Sequence, residues 1–147
     1  MDHLTKAGRS ALMRSVKSEW TGPERRMHAA LLGLGLRPRT HVASLPGRPD
    51  FVLDGAREWP GQRPLAILVD GCLWHACPRH FKLPKTNKRF WREKILRNAA
   101  RDRRNRRRLQ RAGVRTMRVW EHDLGCAASA DRAARRVGER LCNYGKK

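Results

Sequence analysis

The chain has 147 residues, and 34 lysine and arginine residues against 13 aspartate and glutamate residues give it a formal net charge of +21. This length supports a single hydrophobic core of ordinary size and excludes two large independent domains. No stretch approaches the roughly 20 apolar residues of a membrane span, and the polar start MDHLTKAGRS lacks the apolar core of a signal peptide. We therefore expect a cytoplasmic, nucleoid-associated monomer whose charge attracts nucleic acid, although ribosomal and membrane-surface proteins share this signature.

The first predicted elements are a basic arm and a helix. Residues 1–20 are polar and basic, which predicts an arm that orders on binding, and residues 21–147 then form one domain. Thr21, Gly22 and Pro23 predict a helix start, and Gly35 ends the helix. Apolar residues recur within it at helical spacing, at Met27, Leu31 and Leu34.

Strands and two further helices follow. Residues 50–53 are strand-like, and residues 65–69 form a continuous apolar run suited to a central strand. Residues 89–113 predict a long helix with an apolar first half and an arginine-rich second half, and residues 114–123 predict a strand. A last helix is expected over about residues 129–142. This order predicts an α/β fold with a central mixed sheet flanked by helices.

Two aspartates stand where predicted strands begin and end. Asp50 follows Pro49 at a strand start, and Asp70 ends the apolar run. If these strands pair antiparallel, both carboxylates reach one edge of the sheet and suit Mg²⁺, which prefers oxygen ligands. His75 is then placed to transfer a proton, and Glu24, in the first turn of the first helix, to enter from the opposite side. Capping at the strands and the helix dipole are the alternative explanations for these acids.

The segment VDGCLWHACPRH, residues 69–80, contains candidate metal ligands. Cys72, Cys77 and His80, with the distant His122, make a plausible tetrahedral zinc set, in which His75 competes for the fourth place. Zinc would hold this loop against the last strand. We expect the other two cysteines, Cys126 and Cys142, to be small buried hydrophobes.

Tryptophans flank the same segment. A tryptophan beside a metal ligand is usually part of the core. In a chain of this charge, however, Trp74 on the loop is a candidate to wedge between base pairs. Trp91, near the start of the basic helix, is a second candidate.

Four segments together resemble the very short patch repair (Vsr) DNA mismatch endonucleases. These are SLPGRPDFVLDG, LVDGCLWHACPRHF, LPKTNKRFWREKILRNAARDRRN and GVRTMRVWEHDL, in the family's order and spacing. The resemblance implies a restriction-endonuclease-like fold with a structural zinc. It also implies Mg²⁺-dependent nicking of duplex DNA 5′ to the thymine of a T:G mismatch, the lesion left when 5-methylcytosine deaminates, and a functional link to a cytosine-5 DNA methyltransferase.

The resemblance also implies residue roles. Asp50 corresponds to the catalytic metal-binding aspartate, His75 to the histidine that assists cleavage, and Glu24 to the glutamate of the first helix. Cys72 and Cys77 fall on zinc-ligand positions, as does His122, and His80 is our own assignment for the fourth ligand. Residues expected to contact DNA are Met13, in the arm, the intercalating Trp74 and Trp91, Leu73 and the basic Arg48, Lys88 and Arg89.

Two positions depart from well-known members of the family. Asp70 stands where some members have histidine, which makes the centre more like an ordinary nuclease pair of acids. Leu73 replaces an aromatic residue of the wedge, so we expect weaker mismatch discrimination or a different sequence context. Two other functions stay open: a restriction or defence nuclease without mismatch preference, and a zinc-containing nucleic-acid binder with no activity.

Overall fold

A computed structural model describes Thr5, Gly8, residues 19–58 and residues 60–142. The predicted arm over residues 1–20, including Met13, lies almost wholly outside the described residues. The helices are α1 (Gly22–Gly33), α2 (Gly55–Glu58), α3 (Lys88–Arg111) and α4 (Ala127–Cys142). The strands are β1 (Arg39–Thr40), β2 (Phe51–Leu53), β3 (Leu65–Asp70) and β4 (Arg115–Trp120).

The four strands form one sheet in the order β1-β2-β3-β4. β2 pairs antiparallel with both β1 and β3, whereas β3 and β4 run parallel. Phe51 lies opposite Ile67, so the residue before β2 and the end of β3 meet at the same edge. The predicted mixed sheet is confirmed, and so is the antiparallel pairing that brings Asp50 and Asp70 to one edge.

Helices cover both faces of the sheet. On one face α1 and α4 pack on the sheet through buried apolar side chains, among them Leu31, Phe51, Ile67 and Val137. On the other face α3 contributes Leu109, which packs with Val52 and Ala66. β3 is therefore covered on both sides, which explains its unbroken apolar run. Among the described residues, no helix is both long and apolar enough to cross a membrane.

Two expectations were wrong. The strand predicted over residues 114–123 ends at Trp120, and Glu121–Leu124 form a 3₁₀ turn. The turn redirects the chain so that the Glu121 carboxylate accepts the backbone N–H of Cys72 at 2.6 Å. Cys126 and Cys142 are exposed rather than buried. They lie just before and at the end of α4, whose apolar stripe is formed by other residues.

Candidate active site

A cavity of about 490 Å³ opens where β2 begins and β3 ends. The sheet places Asp50 and Asp70 there, α1 contributes Glu24, and the loop after β3 contributes His75. All four catalytic residues predicted from the sequence therefore line one cavity. Residues that the sequence reasoning missed also line it, namely His41, Asp102, Asn105 and Arg118.

Asp50 is a half-buried carboxylate that lines this cavity. One of its oxygens accepts the backbone N–H of Val69 at 2.7 Å, which fixes the side chain against β3. Burial, with smaller contributions from the charges of Glu24 and Asp70, raises the pKa of Asp50 from 3.8 to about 7. A carboxylate in this state favours a nearby cation, because a cation removes the cost of burying its charge.

Glu24 reaches the cavity because it caps the start of α1. Its carboxylate accepts the Thr21 hydroxyl at 2.8 Å and the Trp20 N–H at 2.6 Å, while the Glu24 N–H donates to the Thr21 hydroxyl at 3.4 Å. This cap resembles the capping box of Thr-x-x-Glu sequences, except that the Glu24 carboxylate accepts the N–H of Trp20, one residue before the N-cap. It leaves Glu24 buried, only 4 % exposed, with its carboxylate close to His41 and Asp50.

Glu24, His41 and Asp50 form a compact group. Each offers one ligand atom, and these three atoms lie within 4.8 Å of one another. The backbone N–H of His41 donates to the carbonyl of Asp50 at 2.9 Å, so this histidine continues the β1–β2 pairing by one residue. Nothing in the short segment RTHV marks His41 as functional, because its position depends on that strand pairing.

Asp70 has two basic neighbours. Arg118, from the neighbouring strand β4, forms an ion pair with it, and the Nδ1 atom of His75 lies 3.6 Å from its other oxygen. Burial raises the pKa of Asp70, and the charges of His75 and Arg118 oppose that rise. Arg118 also stacks on Trp120, 4.8 Å from the ring centroid. Asp70 therefore lies beside Asp50 in the cavity, but its carboxylate already contacts two basic side chains.

His75 is oriented by an acid on the long helix. Its Nδ1 atom lies 2.6 Å from Asp102 Oδ2, and the side chain of Asn98 donates to the carbonyl of Trp74 at 3.0 Å. With Nδ1 bound to a carboxylate, the other ring nitrogen is the one available to a substrate. Asp102 sits inside an arginine-rich run, where an acid resembles an ordinary surface charge. The one sequence feature that could have indicated a role for Asp102 is its spacing of four residues from Asn98, which places both side chains on one face of α3.

The predicted metal ligands of the loop and of the chain after β4 do come together. The ligand atoms of Cys72, Cys77, His80 and His122 lie within 4.8 Å of one another. The His122 Nδ1 atom is 3.2 Å from the sulfur of Cys72 and 3.6 Å from that of Cys77. His75, the competitor for the fourth place, instead points to Asp102.

The surroundings of this group suit a metal with sulfur and nitrogen ligands. Burial raises the pKa of Cys77, but the backbone N–H groups of Arg79 and His80 outweigh it, and the net effect lowers this pKa from 9.0 to about 7. The Cys77 thiolate is thus available near neutral pH, as metal binding requires, whereas burial raises the pKa of Cys72 from 9.0 to about 11, so metal binding there would have to displace its proton. The Nε2 atom of His122 lies 3.7 Å from Asp123, the kind of carboxylate contact that orients a ligating imidazole.

The tryptophans form a half-buried aromatic cluster beside the loop. The rings of Trp74 and Trp91 are 5.5 Å apart, and the Lys94 ammonium lies 4.7 Å from the Trp74 ring. Next to them Phe90 is 51 % exposed, and Leu73 is partly buried. An apolar surface with a cation above it suits stacking on bases beside a phosphate backbone.

The remaining residues predicted to contact DNA occupy separate places. Arg48 lines the cavity and pairs with Glu19. Lys88 and Arg89 are exposed in the first turn of α3, outside the cavity, and Arg89 pairs with Glu93 at 3.1 Å. Met13 lies outside the described residues.

Comparisons with known proteins identify the family of the chain. The family model for the DNA mismatch endonuclease Vsr matches residues 1–80. The DNA mismatch endonuclease Vsr of Escherichia coli strain K12 is 43 % identical over 143 residues, which cover 95 % of this chain and 87 % of the relative.

Other relatives are nicking enzymes. Type II nicking enzyme V.NaeI of Lentzea aerocolonigenes is 40 % identical over 124 residues, covering 80 % of this chain and 69 % of the relative. Type II nicking enzyme V.XorIIP of Xanthomonas oryzae pv. oryzae is 36 % identical over 138 residues, which cover 92 % of this chain and 96 % of the relative. With its acids and histidine gathered in one cavity and these relatives matched over most of its length, the chain belongs to the Vsr family of DNA mismatch endonucleases.

Proposed function

We propose that this chain nicks one strand of duplex DNA on the 5′ side of the thymine of a T:G mismatch, with Mg²⁺ as cofactor. The observation that carries the proposal is the pairing of His75 with Asp102 at 2.6 Å in the cavity that also holds Asp50. The matched family and the E. coli relative, named as a mismatch endonuclease, support the mismatch as substrate. The lesion would arise where a cytosine-5 methyltransferase has acted.

The chain's own residues account for proton transfer and phosphate binding. His75, held through Nδ1 by Asp102, presents its other ring nitrogen to the scissile phosphate region and moves a proton there. Arg118, beside Asp70, places a positive charge in the cavity, where negative charge grows on the phosphate during attack. The low dielectric of a half-closed cavity strengthens both effects.

The donor set in the cavity fits a divalent cation. Asp50 would hold the Mg²⁺, since it lines the cavity and only one of its oxygens accepts the Val69 N–H. When bound, the ion polarises a phosphoryl oxygen and stabilises charge in the transition state. Asp70, the second ligand predicted from the sequence, lines the same cavity and shares its carboxylate with Arg118 and His75.

The group Cys72, Cys77, His80 and His122 fits a structural zinc. Two sulfurs and two imidazole nitrogens within 4.8 Å of one another are the donor types and number of a closed tetrahedral site. Zinc held there would tie the loop after β3 to the 3₁₀ turn after β4. The loop includes His75 and Trp74, so this site would position both the proton-transfer group and the stacking surface.

We assign recognition of the mismatch to the aromatic cluster. Trp74, Trp91 and Leu73 would enter the stack beside the T:G pair, which is weaker than a matched pair and costs less to open. Arg48, Lys88 and Arg89 would contact the backbone and position the duplex. Leu73 offers less stacking surface than an aromatic residue.

The test is strand-specific cleavage of duplexes that differ at one base pair, T:G against T:A or C:G, with randomised flanks and Mg²⁺. The expected result is a nick in the T strand alone, 5′ to the mismatched thymine, abolished by Asp50→Ala. Asp54→Ala is the matched control, because Asp54 is exposed just after β2 and does not line the cavity.

Other outcomes would reject parts of the proposal. Equal cutting of matched and mismatched duplexes would identify a restriction-type nuclease, the alternative favoured by the relatives named as type II nicking enzymes. Binding without cutting of any duplex would leave a zinc-containing DNA binder. Activity that persists in Asp50→Ala would remove Asp50 from the mechanism.

A further inference from the structure

His41 has a buried ring nitrogen that lacks a hydrogen-bond partner among the described residues. The side chain is 9 % exposed, and the nitrogen is Nε2. The nearest charged atom is Glu24 Oε2 at 3.6 Å, too far for a hydrogen bond. Buried polar atoms in folded proteins are nearly always satisfied, and His41 lines the cavity, so this atom is free to bind a metal ion or a water molecule there.

Packing explains why the ring is buried but not where Nε2 points. The ring lies edge-on to Trp20 at 5.1 Å, a contact that any flat side chain would make. A ring nitrogen of His41 is within 4.8 Å of ligand atoms of both Glu24 and Asp50. Two carboxylates and an imidazole therefore converge on the same small volume.

The backbone holds His41 in this place from two directions. Its N–H donates to the Asp50 carbonyl at 2.9 Å, and the next residue, Val42, donates to the Pro49 carbonyl at 3.1 Å. His41 has a positive φ of 45°, a left-handed conformation that is uncommon for non-glycine residues but that histidine adopts more readily than most. The backbone of His41 is therefore held where its ring lies beside the two acids.

We propose that Glu24, His41 and Asp50 bind one divalent transition-metal ion, with His41 Nε2 as a direct ligand, and that this site prefers Mn²⁺ to Mg²⁺. Mg²⁺ takes oxygen ligands and sheds water reluctantly, whereas an imidazole nitrogen suits transition metals. A carboxylate has about four acceptor positions, so Glu24 keeps free lone pairs after its two capping bonds. The inference rests on the proposed function in placing the metal of the nicking reaction at Asp50.

The test uses the full chain, loaded with zinc and free of DNA, titrated with Mn²⁺ alone and followed by electron paramagnetic resonance. The expected result is one bound Mn²⁺ per chain whose pulsed spectrum shows coupling to a nitrogen nucleus, and which Mg²⁺ displaces only in large excess. Zinc loading keeps the cysteine site filled, so that any added Mn²⁺ reports on the cavity.

Three variants separate ligation from folding. His41→Asn should lose the nitrogen coupling and weaken Mn²⁺ binding by at least about tenfold, since even indirect changes around a metal cost that much. Asp50→Asn should abolish binding. His28→Asn is the matched control, because His28 packs near Trp20 but does not belong to the group of Glu24, His41 and Asp50. The nitrogen coupling of Mn²⁺ should be unchanged in this variant.

Two outcomes would overturn the inference. Mn²⁺ binding that needs Asp50 but shows no nitrogen coupling would mean an oxygen-only site. Coupling that survives in His41→Asn would assign the nitrogen to another histidine, such as His75. Neither outcome contradicts the proposed function, because nicking of the T:G duplex with Mg²⁺ is measured in a different assay. Absence of nicking together with an intact Mn²⁺–nitrogen signal would instead contradict the proposed function and leave the metal site in place.

Discussion

At the scale of single residues, three aspartates in one cavity have three different environments. Asp50 accepts a backbone N–H and faces other acids, Asp70 pairs with Arg118, and Asp102 binds His75. The same carboxyl chemistry therefore supplies a candidate metal ligand, a partner for an arginine and an acceptor that orients a histidine. Neighbouring groups, rather than residue type, decide each role.

Replacing Asp102 tests its role in holding His75. Asp102→Asn leaves a side chain of the same size but removes the charge that favours the productive orientation of His75. We expect the nicking rate to fall by about 10²- to 10⁴-fold, the usual contribution of a positioned acid–base group, with little change in DNA affinity. Single-turnover nicking and a binding isotherm measure the two quantities. Asp131→Asn, exposed on α4, should match the wild type, and a shift in affinity alone would contradict the orienting role.

Asp50 makes folding depend on pH. Its pKa in the folded chain is about 7 against an ordinary value of 3.8, so the folded state holds this proton more tightly than the unfolded state. The protonated Asp50 carboxyl therefore contributes to the free energy of unfolding. This contribution is complete below the ordinary pKa of 3.8 and is lost as the pH rises through about 7. Asp50→Asn removes this dependence. We expect its Tm advantage over the wild type, without divalent ions in the cavity, to grow from about pH 5 to about pH 8. Thermal melts with the zinc site loaded measure it, and a constant gap would contradict the raised pKa.

At the scale of elements, β3 and the loop after it link the cavity to the group of Cys72, Cys77, His80 and His122. β3 ends at Asp70, and within seven residues the chain passes Cys72, His75 and Cys77. The sequence was sufficient to predict this, because an apolar run followed by cysteines and histidines is a local signal. The antiparallel β2–β3 pairing was the condition under which Asp50 and Asp70 would meet, and the structure has this pairing.

Contacts between distant elements were harder to predict. His41 depends on the β1–β2 register, Asp102 on how α3 crosses the loop, and Arg118 on the parallel pairing of β3 with β4. None of these lies in a local motif, and in a chain so rich in arginine Arg118 looks like surface charge. The exposure of Cys126 and Cys142 was missed for a related reason: the helical face of a residue near a helix end depends on where the helix begins.

Removing a ligand tests whether the cysteine group is structural. Cys72→Ser should lose about one zinc per chain, lower Tm and abolish nicking, because zinc binding contributes directly to folding. Metal analysis, thermal melts and the T:G nicking assay measure the three effects. Cys126→Ser is the matched control, since Cys126 is exposed and outside the group. Full zinc content with Cys72 and Cys77 both replaced would rule out this site.

At the scale of the whole molecule, the positive charge is unevenly placed. Exposed arginines of α3 line a groove of about 320 Å³ on the side of the helix away from Asp102 and Leu109. Arg103, Arg107 and Arg111 stand four residues apart, hence about 6 Å apart along the helix axis. Such a row matches the spacing of a phosphate backbone and adds to affinity without reading sequence.

Neutralising this row should weaken the salt dependence of DNA binding. For the triple variant Arg103→Gln, Arg107→Gln and Arg111→Gln, we expect the slope of log affinity against log salt to become shallower by about 0.9 for each phosphate that the protein no longer neutralises. Fluorescence polarisation with matched and mismatched duplexes measures it, and both should change equally. The control triple variant Arg132→Gln, Arg135→Gln and Arg140→Gln changes the net charge equally on α4. Equal slopes in the two triple variants would assign the effect to net charge rather than to the row.

The length of the loop from Cys72 to Cys77 determines the position of His75. The backbone N–H of Cys77 donates to the carbonyl of Cys72 at 2.9 Å, and that of His75 donates to the carbonyl of Gly71 at 3.1 Å. These hydrogen bonds close the loop, so the number of residues between the two cysteines fixes the place of His75. Inserting or deleting one residue there would separate the thiols from His122 or swing His75 away from Asp102. Substitutions within this loop should therefore be tolerated far better than a change in its length.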